Sequence, residues 1–179
     1  KGWEIAAGFD SEMEEDIKHQ SNKRVLGTVA RYFSPPRMDY NSFVEIKSMR
    51  LANDISARNW FLDFIFSQGF TLQGLKQISD TRHEALYNLV EDGVPYVVRT
   101  LAVMNGPRIV LVSYYLPEKY WMTERAIQEH VISSFSFKNP EPVKIEKKLT
   151  YSFLQLLKFD YPVSWKLRAP YIESIDVLE

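Results

Sequence analysis

The segment from Phe70 to Pro117 constrains this chain most. Four strand-like runs, Phe70–Ser79, Thr81–Val90, Tyr96–Met104 and Arg108–Leu116, follow one another closely. Asp92-Gly93 and Asn105-Gly106 lie between the later runs, and these dipeptides favour tight hairpin turns with positive φ. Pro95 falls at a strand start and Pro107 just after a turn, where a missing N–H donor is tolerated. The runs therefore read as an antiparallel meander.

Two helices are expected beside it. Asn53 or Asp54 caps the first, which runs through Ser67, and Gly69 supplies the left-handed residue that ends it. Ile55, Phe61, Leu62, Ile65 and Phe66 form a broad apolar stripe widened by Trp60 and Phe64, so this helix should bury most of its circumference. Glu118–Ser134 is the second helix, with Ile127, Val131 and Phe135 at helical spacing. Upstream, Val25–Phe33 and Ser42–Leu51 read as strands, and Pro35-Pro36 stops the former because proline cannot donate to a ladder. Phe135-Ser136-Phe137 is expected as a brief strand. The class is α+β: an antiparallel meander sheet packed on one face by two helices.

The two ends of the chain resemble each other. Trp165-Lys166-Leu167, Ala169 and Tyr171 stand 162 positions after Trp3-Glu4-Ile5, Ala7 and Phe9. Both stretches read as a Trp-led amphipathic strand followed by an acidic segment, as in a tandem array with a unit of about 160 residues. Asp10–Arg24 is a charged connector and Asn139–Lys148 a Pro/Lys/Glu-rich linker. The expected organisation is a domain over 1–138 lacking its opening strand, a linker over 139–148, and a final piece over 149–179. That piece is either the start of a second repeat or a strand completing the sheet. Leu149–Leu167 is expected as a strand pair broken at Tyr161-Pro162. The start at Lys1, without a leader pattern, reads as a processed or trimmed product.

Composition narrows the function classes. Hydrophobic residues are 45% and aromatics 14%, ample for a core. A net charge of −1 with 25% charged residues lacks the basic excess of a nucleic-acid surface and offers no electrostatic attraction to membranes. The most apolar stretch, Trp60–Phe66, is interrupted by Asp63 and is too short for direct membrane insertion. The absence of cysteine removes disulfides, thiolate catalysis and Cys-based zinc sites. It suits a periplasmic bacterial protein as well as a cytoplasmic one. No Asn-x-Ser/Thr sequon is present, which weighs mildly against a glycosylated secreted protein.

Three pieces carry a family resemblance: Asp160-Tyr161-Pro162-Val163-Ser164-Trp165, Asp92-Gly93-Val94-Pro95-Tyr96 and Ile132-Ser133-Ser134-Phe135-Ser136-Phe137. With the order of helices and strands between them, they resemble the PsbP-like fold of photosystem PsbP proteins, Ran-binding import factors and bacterial envelope relatives. In that family the Tyr-Pro-Trp strand opens the domain, whereas here it comes last, as a window into a tandem pair would place it. The resemblance covers roughly 40–137 and 151–167. It implies a non-enzymatic adaptor that binds a partner protein or assists assembly, in the periplasm or cell envelope. The calcium and manganese sites proposed for some plant members have no counterpart motif here.

Reactive chemistry is sparse. His130 lies three residues after Ile127 on the second helix, near an apolar face. His83 and Glu84 are adjacent in a strand, so they point to opposite faces and cannot share a ligand. Glu91-Asp92 precede Gly93 and serve a turn, while Glu124, Gln128 and the Arg125–Glu129 pair read as an exposed helix face. No metal, phosphate or nucleophile motif occurs, so no cofactor is expected.

Aromatic residues are the outward signal. Tyr114, Tyr115, Tyr120 and Trp121 gather around Pro117, and Phe33 and Tyr40 flank a proline-rigid loop. Tyr and Trp are frequent interface anchors, though the same residues also suit a sheet–helix corner as core. With Tyr161 and Trp165 they are the candidate interface. The leading expectation is a non-catalytic assembly module of a multi-subunit envelope complex such as a secretion apparatus. Its partners would be other protein subunits or further copies of itself, joined by donation of Leu149–Leu167 to an open sheet edge. A second is a small-molecule or lipid carrier with a cavity lined by Trp60, Phe64, Tyr96 and Tyr115. A third is a hydrolase using His83 or His130.

Overall fold

The computed structural model describes residues 4–5, 25–35, 39–51, 56–144, 147–153 and 156–162. The chain divides into two compact units, Lys1–Ile145 and Glu146–Glu179. Trp165, Pro36, Asn53, Asp54 and the Asp10–Arg24 connector lie outside the described residues.

The first unit contains β1 (Glu4–Ile5), β2 (Gly27–Phe33), β3 (Phe43–Arg50), α1 (Ala57–Ser67), β4 (Thr71–Ser79), β5 (Arg82–Glu91), β6 (Val94–Asn105) and β7 (Arg108–Pro117). A 3-10 turn over Glu118–Tyr120 then leads into α2 (Trp121–Ser134). The strands form one seven-stranded sheet in the order β1-β2-β3-β7-β6-β5-β4. Every pairing in it is antiparallel, and β4 to β7 form the expected meander. β7 also pairs with β3 along its whole length, from Phe43↔Tyr115 to Arg50↔Arg108.

Turn chemistry explains the hairpins. Asp92 and Gly93 have φ of 52° and 79°, the two left-handed residues of a type I′ turn. The next hairpin places Gly106, φ 56°, and Pro107 at its tip, so Asn105 ends the strand instead of turning. Gly69, φ 69°, closes α1: its N–H donates to Phe66 O and the Phe70 N–H to Ile65 O, the paired bonds of a Schellman ending. α1 begins later than expected, at Ala57, with Ser56 preceding it and making no side-chain cap.

One expectation about layering changes. α1 and α2 belong to opposite faces of the sheet. Ala57, Phe61 and Ile65 of α1 join Tyr87, Val98, Ala102, Ile109, Leu111 and Tyr115. Ile132 of α2 joins Leu101, Val103, Val110, Val112, Tyr114 and Leu116. Alternate residues of β6 and β7 thus feed two cores. β7 is buried from Ile109 to Pro117 without alternation, the pattern of a strand covered on both sides. The α+β class stands as an antiparallel sheet with two helices among the described residues.

Smaller corrections follow from the same packing. Phe66 is exposed, so α1 buries a stripe and not most of its circumference. On α2 the buried residues are Gln128 and Ile132, while Ile127 and His130 face outward. Phe135–Phe137 forms no strand; Phe135 and Phe137 pack into the α2-face core, and Arg82 Nη2 donates to the Phe135 carbonyl at 3.0 Å.

In the second unit β8 (Lys148–Phe153) and β9 (Leu157–Pro162) form an antiparallel two-stranded sheet of their own. The turn falls between Phe153 and Leu157, inside the stretch expected as one strand, and β9 ends at Pro162; residues 163–167 lie outside the described residues.

Candidate functional site

The expected aromatic cluster around Pro117 is divided by the pleat. Tyr115 points to the α1 face and Tyr114 to the α2 face, since neighbouring strand residues project oppositely. They are 7% and 1% exposed and are core residues. Tyr115 stacks on Phe43 with centroids 4.2 Å apart, and Phe43 in turn meets Phe33 at 5.7 Å. The two sequence clusters therefore join through a residue that neither contained.

They join a second time at the surface. The Tyr120 hydroxyl donates to Asp39 Oδ1 at 2.8 Å, and Lys119 bonds the other Asp39 oxygen. The Lys119 ammonium lies 5.2 Å from the Tyr40 ring centre and 4.9 Å from that of Tyr120, within range of a cation–π attraction. Tyr40 is exposed, whereas Trp121 is half-buried against the α2-face core. Hydrogen bonds from Lys119 and Tyr120 hold the Asp39 carboxyl below the usual carboxylate range.

A charged inlay lies on the α1 face. Glu45 is 2% exposed, yet Arg31 and Lys47 each reach its carboxylate at 2.8 Å. Thr28 Oγ1 donates to Oε1 at 3.1 Å and the Tyr115 hydroxyl to Oε2 at 3.2 Å. Burial pushes the Glu45 carboxyl up, but bonds from Lys47 and Arg31 outweigh it and hold it below the ordinary range. Burial pushes the Tyr115 phenol well up, and the neighbouring Glu45 carboxylate adds to this. Arg31 also lies 4.9 Å over Phe43. This network satisfies the Glu45 carboxylate and ties β2, β3 and β7 together.

The opposite face has its own network, which the sequence reading missed. Arg99 on β6 pairs with Glu84 of β5 and with Glu129 of α2. Gln128, expected on an exposed face, is buried; its amide donates to the carbonyls of Val97 and Tyr114, each at 3.0 Å. A polar residue spaced at helical intervals between Trp121 and Ile132 was the available signal.

The histidines separate. His130 is exposed on α2. His83 is 1% exposed on the α1 face and neither of its nitrogens has a hydrogen-bond partner, so the hydroxyl and carboxylate that a hydrolase needs do not meet it. Among the described residues no group of three or more His, Asp or Glu is placed to hold a metal. No helix among them is long and apolar enough to cross a membrane.

A shallow cavity of about 480 Å³ opens beside the end of α1, lined in part by Phe70, Leu89, Val90, Pro95, Tyr96 and Glu118. Of the expected pocket residues only Tyr96 reaches it. Trp60 and Phe64 stack on each other at 5.6 Å and Tyr115 is committed to Phe43.

Tyr161, the last described candidate, is half-buried on β9. Register places Leu149, Tyr151, Leu157, Phe159 and Tyr161 on one face of the β8–β9 hairpin, with Phe159 between Tyr151 and Tyr161. Lys148, Thr150, Ser152, Lys158 and Asp160 take the other. Leu157 and Phe159 are 61% and 47% exposed.

No family model matches the chain, and no curated protein matches it. Among solved structures it is similar to the crystal structure of a Pseudomonas aeruginosa protein of unknown function, provisionally described as a regulator. The TM-score is 0.53 at 9% identity, covering 78% of this chain and 99% of the other. At that identity the likeness is one of fold.

Proposed function

We propose that this chain is a non-catalytic protein-interaction and assembly module of the PsbP-like kind. It would act in the periplasm or envelope of a bacterium as one part of a multi-subunit complex, a secretion apparatus being the example, with other subunits or further copies of itself as partners. The placement in such a complex is an analogy at the level of fold.

The observation that carries the reading is the apolar face of the β8–β9 hairpin. Leu149, Leu157 and Phe159 are exposed on a sheet of two strands, and such a hairpin is at best marginally stable in water. A partner surface laid on that face, or a strand added to either edge, would bury the rings and satisfy the edge groups. The exposed Tyr40–Lys119–Tyr120 patch supplies a second contact suited to a protein partner.

Light scattering tests the reading on the full chain, on the chain ended after Ile145, and on Phe159→Asp. The cut spares Glu141, whose carbonyl accepts from the Gly106 N–H. Association of the full chain alone supports assembly through the hairpin. Monomeric behaviour of all three would remove it for self-assembly, and a pull-down that recovers the same proteins with Phe159→Asp would remove it for other subunits.

The cavity beside α1 favours a second reading, a carrier of a small apolar molecule. A long-chain fatty acid should then raise the melting temperature, and Tyr96→Ala should abolish the rise.

A further inference from the structure

His83 stands apart from everything above. It points from β5 into the α1-face core, 1% exposed, and neither ring nitrogen finds a donor or acceptor. A buried polar group left in this state costs stability, so it calls for an explanation. Its cross-strand neighbours, Gln77 on β4 and Ala102 on β6, carry no charge. The charged groups that face it are Arg58 from the first turn of α1 and Asp80 from the β4–β5 turn. Asp80 accepts a hydrogen bond from Gln77 at 3.3 Å. Arg58 repels a second positive charge, and the start of α1 carries the positive end of the helix dipole.

We propose that His83 is an acid-operated latch for α1, keeping the helix on the sheet while the imidazole is neutral and releasing it when the ring takes up a proton. The helix rests on β5 and β6 and covers an apolar floor that includes Tyr87 and Ala85, with Phe61 and Ile65 inserted from above. An imidazolium there finds no hydrogen-bond acceptor within reach of either nitrogen. Undocking α1 lets it hydrate, and the same movement bares the floor. The device does not depend on the assembly reading.

The sign follows from linkage. Burial first, and Arg58 second, lower the His83 pKa from its ordinary value. The folded form thus holds fewer protons than the open form across the window between the depressed value and the ordinary one of about 6.5. Docking is complete above that window and weakens as pH falls through it.

Hydrogen exchange read by mass spectrometry on the intact chain tests this. The readout is protection of the 57–67 segment relative to 121–134, a ratio that cancels the intrinsic pH dependence of exchange. Between about pH 7.5 and about pH 5 the ratio should fall several-fold in the wild-type chain and stay level in His83→Leu. A level ratio in the wild type, or an equal fall in His83→Leu, overturns the proposal. Should His83→Leu fail to fold, Arg58→Glu takes its place: a carboxylate beside the ring stabilises the imidazolium in the closed state and should suppress the fall. An undiminished fall in Arg58→Glu is the corresponding refutation.

Discussion

The side-chain amide of Gln128 donates to the main-chain carbonyl of Tyr114 at 3.0 Å, tying the middle of α2 to the central strand pair. The same nitrogen reaches the Val97 carbonyl at 3.0 Å on the neighbouring strand, so one polar group on the helix registers it against both β6 and β7. Arg99 Nε donates to the Gln128 oxygen at 3.4 Å, which sets the orientation of the amide.

Gln128→Leu keeps the volume and removes both donors. The expected loss is about 1–3 kcal/mol, because buried acceptors lose a partner that water cannot replace. Urea unfolding measures it, with the exposed His130→Leu as the control that should change little. A midpoint equal to wild type would mean the sheet alone satisfies the two carbonyls.

Glu45→Ala should be more severe in one respect and pH-dependent in another. Removing the carboxylate leaves Arg31 and Lys47, each 2.8 Å from it, facing one another. The cost is roughly 2–4 kcal/mol, below the range for a fully buried pair because both cations reach solvent. The folded pKa of Glu45 is lowered, so its contribution is complete above the ordinary glutamate value of about 4.3 and disappears as pH falls through the folded value. Stability measured from neutral pH into acid should therefore fall more steeply in the wild type than in Glu45→Ala. Parallel curves would show that Glu45 is not a principal acid-sensitive carboxylate.

Gly106→Ala and Gly93→Ala separate backbone strain from collision. Both residues have positive φ, 56° and 79°, where an alanine costs about 1 kcal/mol. A Cβ at Gly93 meets open space, whereas one at Gly106 falls 3.2 Å from Glu141 Cβ and closer still to its carboxylate. Gly106→Ala should lower the melting temperature more, and Glu141→Ala should relieve part of the difference. Equal shifts in the two single variants would leave strain as the whole effect.

Tyr87→Phe tests the polar thread through the sheet. The phenol bonds Thr100 Oγ1 at 2.9 Å, and Thr100 still reaches Ser113 Oγ at 2.7 Å, so the expected loss is only about 1 kcal/mol. Burial pushes the Tyr87 phenol up to about 12. The neutral form is the one the fold favours, so its share of stability is present at neutral pH and lost as pH rises from about 10 through that value. Ultraviolet titration should show one late-ionising tyrosine fewer in the variant; an unchanged profile would place the late phenol elsewhere.

Local chemistry was legible. Asp92-Gly93 and Gly69 announce a hairpin and a helix end because few residues accept positive φ, and the β4–β7 meander follows from the spacing of such turns. The unbroken apolar run Ile109–Val112 also signalled a strand buried on both faces, which would have put α1 and α2 on opposite sides. Long-range neighbours were not legible. Nothing near Tyr40 in the chain points to Lys119 or Tyr120, and nothing near Gln128 points to Val97.

The sequence by itself determined the α+β class, the order of strands in the meander and the residues of its turns, since these depend on backbone preferences within a few positions. Only the tertiary structure decided that β7 lies between β3 and β6, and with it which side chains share a face. That insertion buries Glu45 beside Tyr115, and the docking of α1 on β5 and β6 covers the face on which His83 lies. Each of these outcomes depends on distant segments excluding water together, an energy that no local stretch of the chain possesses alone.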